Sequence, residues 1–191
     1  MGSMHREKGK KETNKKLEKE SSSGTLVEEV IRRNSEMVYR LAYALVRTRA
    51  DADDIYQEVF LRYVRKAPAF DSGEHERAWF MRVTINCCKN LWKSPWMQRR
   101  SALENDALER EVSQEEAVYG ITEEDSLLIE TVKQLPEKYR AVIHLFYYEE
   151  LSVEEIGKIT NSKASTVRTR LTRARRQLKS LLREKGEDLD V

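Results

Sequence analysis

The sequence predicts an all-α protein with two small helical domains joined by an acidic linker, the C-terminal domain being a helix-turn-helix. Apolar residues recur at helical spacing in two separate stretches of the 191-residue chain, and no stretch alternates as a β-strand does. An apolar content of 39% is enough for two modest hydrophobic cores rather than one large core. Lysine and arginine exceed aspartate and glutamate by only two charges, so attraction to a polyanion must depend on how the charges are distributed.

Composition divides the chain into four segments. Residues 1–24 contain seven basic and four acidic residues and one leucine, which predicts a disordered basic tail. Residues 25–97 form the first helical domain, residues 98–122 the linker, and residues 123–184 the second helical domain. The linker region is acidic because nine acidic residues and one basic residue lie between Glu104 and Asp125. One interpretation of this segment is a solubilising spacer.

The first two helices follow from capping signals and apolar periodicity. Thr25 and Glu28 form a capping box that starts the first helix, which we expect to end near Arg49. Asp51 is the expected cap of the second helix, which must end before Pro68. One face of this second helix is apolar and is expected to lie in the core: Tyr56, Val59, Phe60, Tyr63 and Val64.

A third helix is predicted from about Glu74 to Lys93, where Pro95 stops it. Trp79 shares one side of this helix with three apolar residues, so its spacing favours a place in the core. The loop before this helix, "APAFDSGEHE", contains Phe70. The first domain therefore consists of three helices and one aromatic-containing loop.

The second domain carries the signals of a helix-turn-helix. Pro136 opens a helix with apolar residues at helical spacing. Ser152 and Glu155 form a capping box at the start of a short helix. The polar turn "NSKA" follows, and a last helix runs from Ser165 to Leu182. A short helix, a tight turn and a longer helix are the arrangement that places the second helix in the major groove of DNA.

The last helix is basic, with six arginines and lysines and no acidic residue from Ser165 to Leu182. Val167, Leu171, Ala174 and Leu178 form an apolar stripe that packs inward. Hydroxyl and guanidinium groups that can contact base edges and phosphates lie on the other side: Arg168, Thr169, Thr172, Arg173 and Arg176. A merely solvated face usually mixes charges of both signs. This helix therefore predicts DNA binding.

Several other classes of protein are disfavoured. The chain has no Gly-rich phosphate loop and no G-x-S-x-G motif, so we expect no catalytic residue and no cofactor. Cys87 and Cys88 are adjacent and would point about 100° apart on a helix, which makes a zinc site with His75 improbable on spacing. No apolar run approaches the roughly 20 residues that span a bilayer, so we expect no membrane insertion. Cysteine usage suits a reducing cytoplasm.

Three segments together resemble the extracytoplasmic-function (ECF) sigma factors of bacterial RNA polymerase. "LPEKYRAVIHLFYYEELSVEEIGKITNSKASTVRTRLTRARRQL" resembles region 4 of that family. "DADDIYQEVFLRYVRK" and "AWFMRVTINCCKN" resemble region 2. The resemblance covers about Leu26 to Leu182. It implies a cytoplasmic alternative sigma factor of the stress-response kind, which binds core polymerase, recognises the minus-35 and minus-10 elements, promotes initiation and is regulated by an anti-sigma factor.

The resemblance also implies where core polymerase and the separated DNA strand bind. One face of the second helix would contact the clamp helices of the largest subunit, and it consists of Asp54, Gln57, Glu58 and Leu61. The flap region would be a further contact of the protein with polymerase. Phe70 and Asn86 would capture a base flipped from the nontemplate strand. Nearby basic residues would attract its phosphates: Arg77, Arg82, Lys89 and Lys93. Phe70 can equally be a core plug, and Trp92 and Trp96 can stack on separated strands or serve other packing roles.

In the last helix, the resemblance assigns minus-35 contacts to Arg168, Thr169 and Thr172, with Arg173 and Arg176 on phosphates. A well-known member of the family has a bulky residue where this chain has Thr172, so the preferred bases there can differ from an "AAC"-like default. The acidic linker would thread into basic polymerase channels. The alternative interpretation is a stand-alone transcriptional repressor or activator. Such a protein would use the same helix-turn-helix as a dimer on paired half-sites.

Overall fold

The computed structural model describes residues 25–46, 48–94 and 131–184. All regular secondary structure in these ranges is helical, which confirms the all-α prediction. The helices are α1 (residues 25–45), α2 (Arg49–Lys66), α3 (Gly73–Lys93), α4 (Glu137–Tyr147), α5 (Val153–Thr160) and α6 (Ala164–Glu184), and residues 131–134 add a helical turn before α4. Residues 25–46 and 48–94 are called the first module below, and residues 131–184 the second module.

The predicted tail (1–24), the predicted linker (98–122) and Trp96 lie outside the described residues. Within the described ranges, none of the helices combines the length and the apolar character needed to cross a membrane.

The cap of α2 differs from the expected one. Thr48 has extended backbone angles, and its hydroxyl oxygen accepts a hydrogen bond from the backbone N–H of Asp51 at 3.1 Å. Thr48 is therefore the N-cap, and Asp51 lies in the first turn. There its negative charge interacts favourably with the positive end of the helix dipole. α3 begins in the same manner, since the Ser72 hydroxyl accepts from the N–H of His75. Both helices start at short hydroxyl side chains that satisfy otherwise unpaired N–H groups.

The core of the first module is aromatic where α2 meets α3. Phe60 and Tyr63 of α2 pack on Phe80 of α3, with ring centroids 5.4 and 5.3 Å apart. Val64, which was predicted in this core, is instead 54% exposed. Val64 lies about one turn beyond Leu61, which is 48% exposed, and so belongs to the solvent-facing side of α2.

A buried carboxylate ties α1 to α3. Glu76 of α3 is 4% exposed and accepts hydrogen bonds from the side chains of Arg33 at 2.7 Å and Asn34 at 2.6 Å. The hydrogen bond from Arg33 lowers the pKa of Glu76, against the opposing effect of burial, and the Asn34 amide lowers it further. This polar contact fixes the position of α1 against the start of α3.

The second module is a helix-turn-helix built on α4. The predicted capping box is confirmed, because Ser152 and Glu155 exchange side-chain and backbone hydrogen bonds at the start of α5. α5 ends at Thr160, and the residue that caps it, Asn161, adopts left-handed backbone angles with φ 52°. The N–H of Ser162 then donates to the carbonyl of Gly157 at 2.8 Å. A Cβ on Gly157 would lie 2.8 Å from the carbonyl oxygen of Ser162, so this close turn depends on glycine.

The two modules contact each other through α3. Arg77, near the start of α3, donates to Glu149, which lies just after α4. Trp92, near the end of α3, packs against the guanidinium group of Arg140 at the start of α4, 5.8 Å from the ring centroid. α3 and α4 therefore run antiparallel along the contact, and α3 also packs against α5.

Candidate nucleic-acid and polymerase-binding surfaces

The apolar stripe of α6 orients its basic residues. Val167, Leu171, Ala174 and Leu178 are buried as predicted, and Leu182 extends the stripe. Because the stripe fixes the rotation of α6, all five candidate minus-35 residues are exposed on the remaining surface: Arg168, Thr169, Thr172, Arg173 and Arg176. These five residues are called the α6 DNA face.

Side chains on the α6 DNA face are partly held in place. Thr172 donates its hydroxyl hydrogen to the carbonyl of Arg168 at 3.0 Å, and Thr169 does the same to Ser165 at 2.9 Å. Arg168 pairs with Glu154 of α5 at 2.7 Å, and both side chains are about 60% exposed. A pair this exposed contributes little stability and can be exchanged for another anion. Glu154 therefore orients Arg168 but leaves it able to bind another anion.

Arg175 is basic but is turned away from the α6 DNA face. Its Nε donates to the hydroxyl of Tyr147 at 2.8 Å, and its guanidinium group lies 5.6 Å from the ring centroids of both Phe146 and Tyr147. The basic character of α6 therefore serves two purposes. Part of it faces solvent on the α6 DNA face, and part packs on α4.

A groove between the starts of α4 and α6 was not predicted from the sequence. It has three basic side chains among hydroxyl groups: Lys138, Tyr139, Ser165, Thr166, Thr169, Arg170 and Arg173. Lys138 belongs to α4, far from the basic helix in sequence, so no local pattern pointed to this groove. The first turn of α6 contains no acidic residue, and its free N–H groups add positive potential to the groove. This arrangement suits a phosphate.

Four of the five basic or amide residues expected at the minus-10 element share one face of α3. Arg82, Asn86, Lys89 and Lys93 follow each other at helical spacing, with Arg82, Asn86 and Lys93 exposed and Lys89 partly buried. These four residues are called the α3 basic face. An exposed amide among cations can read a base edge while the cations attract phosphates.

Arg77 is not part of that face. It precedes Asn86 by nine residues, about two and a half turns of a helix, and so lies on the opposite side of α3. There it donates to the buried carboxylate of Glu149 at 2.6 Å. The structure thus separates Arg77 from the other minus-10 candidates.

Phe70 lies in an aromatic cluster at the N-terminal end of the α3 basic face. Its ring is 5.8 Å from Trp79 and 6.3 Å from Tyr63, and it is partly buried. This packing agrees with the interpretation of Phe70 as a plug between α2 and α3. Trp79, which spacing placed in the core, is also only partly buried and lies on the same side of α3 as Asn86. Trp79 and Asn86 are seven residues, about two helical turns, apart along that side.

The predicted polymerase-binding face of α2 is accessible. Asp54 and Gln57 are exposed, Leu61 is 48% exposed, and Glu58 is partly buried because it accepts a hydrogen bond from Arg62 at 2.7 Å. Val64 follows Leu61 by three residues and adds a second exposed apolar side chain. These residues form one stripe, called the α2 docking face: Asp54, Gln57, Glu58, Leu61 and Val64.

The two cysteines are buried and face different surroundings. Burial raises the pKa of Cys87, which lies near Arg62 and Glu58 of α2. Burial also raises the pKa of Cys88, which lies near Glu137 and Arg140 of α4. Among the residues that the structure describes, no group of three or more histidine, cysteine, aspartate or glutamate residues is arranged to hold a metal.

Comparison with known proteins matches both modules to one family. Residues 30–97 match the model of sigma-70 region 2, and residues 126–178 match the model of sigma-70 region 4. The ECF RNA polymerase sigma factor SigE of Mycolicibacterium smegmatis is 34% identical over 157 residues, 81% of this chain and 61% of that relative. The ECF RNA polymerase sigma factor SigW of Bacillus subtilis is 32% identical over 165 residues, 78% of this chain and 84% of that relative.

Solved structures show the same fold at lower identity. The sigma factor RpoE of Bartonella quintana, in complex with the anti-sigma factor NepR, has a TM-score of 0.58 and 20% identity, covering 82% of this chain and 96% of that one. CnrH, in complex with the cytosolic domain of CnrY, has a TM-score of 0.58 and 22% identity, covering 83% and 88%. With regions 2 and 4 in the expected order and SigW matched over most of its length, the chain belongs to the ECF RNA polymerase sigma factors.

Proposed function

We propose that this protein binds core RNA polymerase and directs it to promoters, recognising the minus-35 element with its second module and the minus-10 element with its first. The observation that carries this proposal is the α6 DNA face, an acid-free exposed surface on the second helix of the helix-turn-helix. The protein itself supplies binding and positioning, and polymerase supplies catalysis. We place its action in the cytoplasm, where bacterial chromosome and polymerase meet.

At the minus-35 element, α6 enters the major groove. Arg168, Thr169 and Thr172 contact base edges, and the longer Arg173 and Arg176 side chains contact phosphates. On contact with DNA, Arg168 exchanges Glu154 for a base or a phosphate. The groove that contains Lys138 receives a further phosphate at the start of α6. The short Thr172 leaves room for a base preference that differs from the family default.

At the minus-10 element, the α3 basic face holds the nontemplate strand. Asn86 reads the polar edge of a flipped base, while Phe70 and Trp79 provide the aromatic wall beside it. Arg82, Lys89 and Lys93 attract the phosphates on either side. Trp92 contacts Arg140 in this structure, so any stacking role requires that this contact opens.

The α2 docking face binds the clamp helices of the largest polymerase subunit. Leu61 and Val64 provide apolar contact, and the acidic and amide side chains beside them select a basic partner. Tyr147 and Tyr148, 47% and 53% exposed at the end of α4, are a second apolar patch that suits the flap region. We propose that an anti-sigma factor regulates the chain by covering one of these faces, and that the predicted domain boundaries, 25–97 and 123–184, separate the two functions.

The test is a reconstituted transcription assay with bacterial core polymerase and the full chain. The wild type should support initiation from specific start sites on genomic DNA, and Leu61→Glu should lose polymerase binding in pull-down experiments. Lys66→Glu is the matched control, since Lys66 is exposed on α2 but lies on another side of the helix. A chain that cannot bind core polymerase, or that binds palindromic DNA tightly without polymerase, would refute the proposal in favour of a stand-alone repressor.

A further inference from the structure

The two threonines of the α6 DNA face use their hydroxyl hydrogens within the helix. Thr169 donates to the carbonyl oxygen of Ser165 at 2.9 Å, and Thr172 donates to that of Arg168 at 3.0 Å. A hydroxyl group has only one hydrogen, so neither side chain can donate a second hydrogen bond while these bonds persist. Both residues are nevertheless exposed. Their hydroxyls are therefore not available as donors to a base that meets this face.

The same hydrogen bonds leave the methyl groups of Thr169 and Thr172 as the parts of these side chains that can contact a ligand. Threonine branches at Cβ, so its hydroxyl and methyl groups occupy different staggered positions, about 120° apart around the Cα–Cβ bond. When the hydroxyl turns back to the carbonyl four residues earlier, the methyl group is held away from that carbonyl. The α6 DNA face therefore presents two small apolar groups in fixed positions.

The arginines of this face supply its hydrogen-bond donors. Arg168 keeps donors for a base because a guanidinium group has five N–H bonds. Arg173 and Arg176 are exposed and long enough to reach phosphates. Thr172 lies one turn beyond Arg168, and Thr169 lies three residues before Thr172, so the Cβ atoms of the two threonines are about 5–6 Å apart. The two methyl groups therefore form an apolar spot among cations.

Thymine offers the matching apolar group in the major groove of DNA. Its C5-methyl group is apolar, whereas the other distinguishing groups of the base edges there are hydrogen-bond donors or acceptors. A threonine that donated to a base acceptor would first give up its bond to the helix carbonyl, and so would exchange one hydrogen bond for another. Contact between two methyl groups needs no such exchange and removes apolar surface from water. The bonding of the two threonines therefore favours thymine.

We propose that Thr169 and Thr172 read the minus-35 element with their methyl groups, each packing against the C5-methyl group of a thymine. Base pairs stack about 3.4 Å apart, so Cβ atoms about 5–6 Å apart reach thymines that are one or two base pairs apart. Arg168 supplies hydrogen bonds to a neighbouring base, and the threonines supply apolar contact. This inference rests on the proposed function, because it takes α6 to lie in the major groove.

The test replaces thymine with uracil, which pairs in the same way but lacks the C5-methyl group. The full chain with core polymerase binds a promoter found by the reconstituted transcription assay, and competitor duplexes carry uracil at one minus-35 thymine at a time. Two of these uracils, one or two base pairs apart, should each weaken binding about 4-fold, the factor for burial of one methyl-sized group.

Two substitutions at Thr172 separate the methyl group from the hydroxyl group. Thr172→Ser lacks the methyl group, so it should bind the thymine duplex about 4-fold more weakly than wild type and lose the dependence on one of the two thymines. Thr172→Val keeps the methyl group and lacks the hydroxyl group. This matched control should retain both the affinity and the thymine dependence of the wild type. Thr169→Ser should lose the dependence on the other thymine.

Three results would overturn methyl readout. A uracil scan without effect on the wild type, which needs no substitution, removes the thymine contact. An unchanged thymine dependence in Thr172→Ser and Thr169→Ser means that uracil acts through the shape of the duplex. Binding by Thr172→Val as weak as that by Thr172→Ser means that the hydroxyl oxygen accepts from a base amino group. In each case, specific initiation by the wild type leaves the proposed function intact, whereas a wild type that gives neither specific initiation nor promoter binding refutes the proposed function itself.

Discussion

The helix-turn-helix is sensitive to a single added methyl group at Gly157. A Cβ there would lie 2.8 Å from the carbonyl oxygen of Ser162, about 0.6 Å closer than the 3.4 Å at which ordinary van der Waals contact begins. Because the clashing atom belongs to the backbone, the turn between α5 and α6 must move. Such a movement also weakens the 2.8 Å hydrogen bond from Ser162 N–H to the Gly157 carbonyl.

The expected magnitude follows from three contributions. Glycine to alanine in a helix gains about 1 kcal/mol from helix propensity. Overpacking costs about 1–3 kcal/mol, and a weakened hydrogen bond costs about 1 kcal/mol. Gly157→Ala should therefore destabilise the second module by about 1–3 kcal/mol, although propensity alone predicts the opposite sign.

Denaturant unfolding of the full chain, followed by circular dichroism, measures this effect. Gly73→Ala is the matched control, because nothing lies within 4 Å of a Cβ added to Gly73 at the start of α3. The control should be neutral or stabilising by no more than about 1 kcal/mol. If Gly157→Ala is as stable as Gly73→Ala and binds minus-35 DNA normally, the argument from the close turn is refuted.

Three further predictions concern the surfaces and the core. Arg168→Ala should cost roughly 1–3 kcal/mol in minus-35 binding if it makes a bidentate base contact; equal binding of the wild type to scrambled and native elements would contradict this. Asn86→Ala should reduce open-complex formation more than polymerase binding, and an unchanged permanganate footprint would exclude the base-capturing role. Glu76→Gln should destabilise the first module by about 1–3 kcal/mol at neutral pH. Because the pKa of Glu76 is lowered in the folded state, its contribution is complete above about pH 4.3, the ordinary carboxyl value, and is lost as the pH falls through the lowered folded pKa. Acid titrations of unfolding should therefore be less steep for Glu76→Gln than for wild type, and equal slopes would count against the ion pair.

Local patterns predicted the features that depend on local geometry. The apolar stripe from Val167 to Leu178 fixed the rotation of α6 because its period is that of a helix, and the exposed face followed from that rotation. The capping box at Ser152 was readable for the same reason, since both of its groups lie within one turn. Both predictions are confirmed.

Features that depend on distant segments were not predictable in this way. Val64 fits the apolar spacing of α2 but is 54% exposed, and no property of α2 alone shows which positions its neighbours leave uncovered. Arg77 was grouped with Asn86 by charge, whereas the helix places them on opposite sides and Glu149, 72 residues later in the chain, holds Arg77 there. The phosphate groove joins Lys138 to the start of α6 only through tertiary packing. A single sequence contains no signal for which surfaces of two separate modules meet.

The antiparallel course of α3 and α4 has a mechanical consequence. Arg77 with Glu149 and Trp92 with Arg140 stand at opposite ends of the contact. A slide by one helical turn, about 5.4 Å, would break both pairs. We therefore expect relative sliding of the two modules to release the two ends of the contact together, not one after the other.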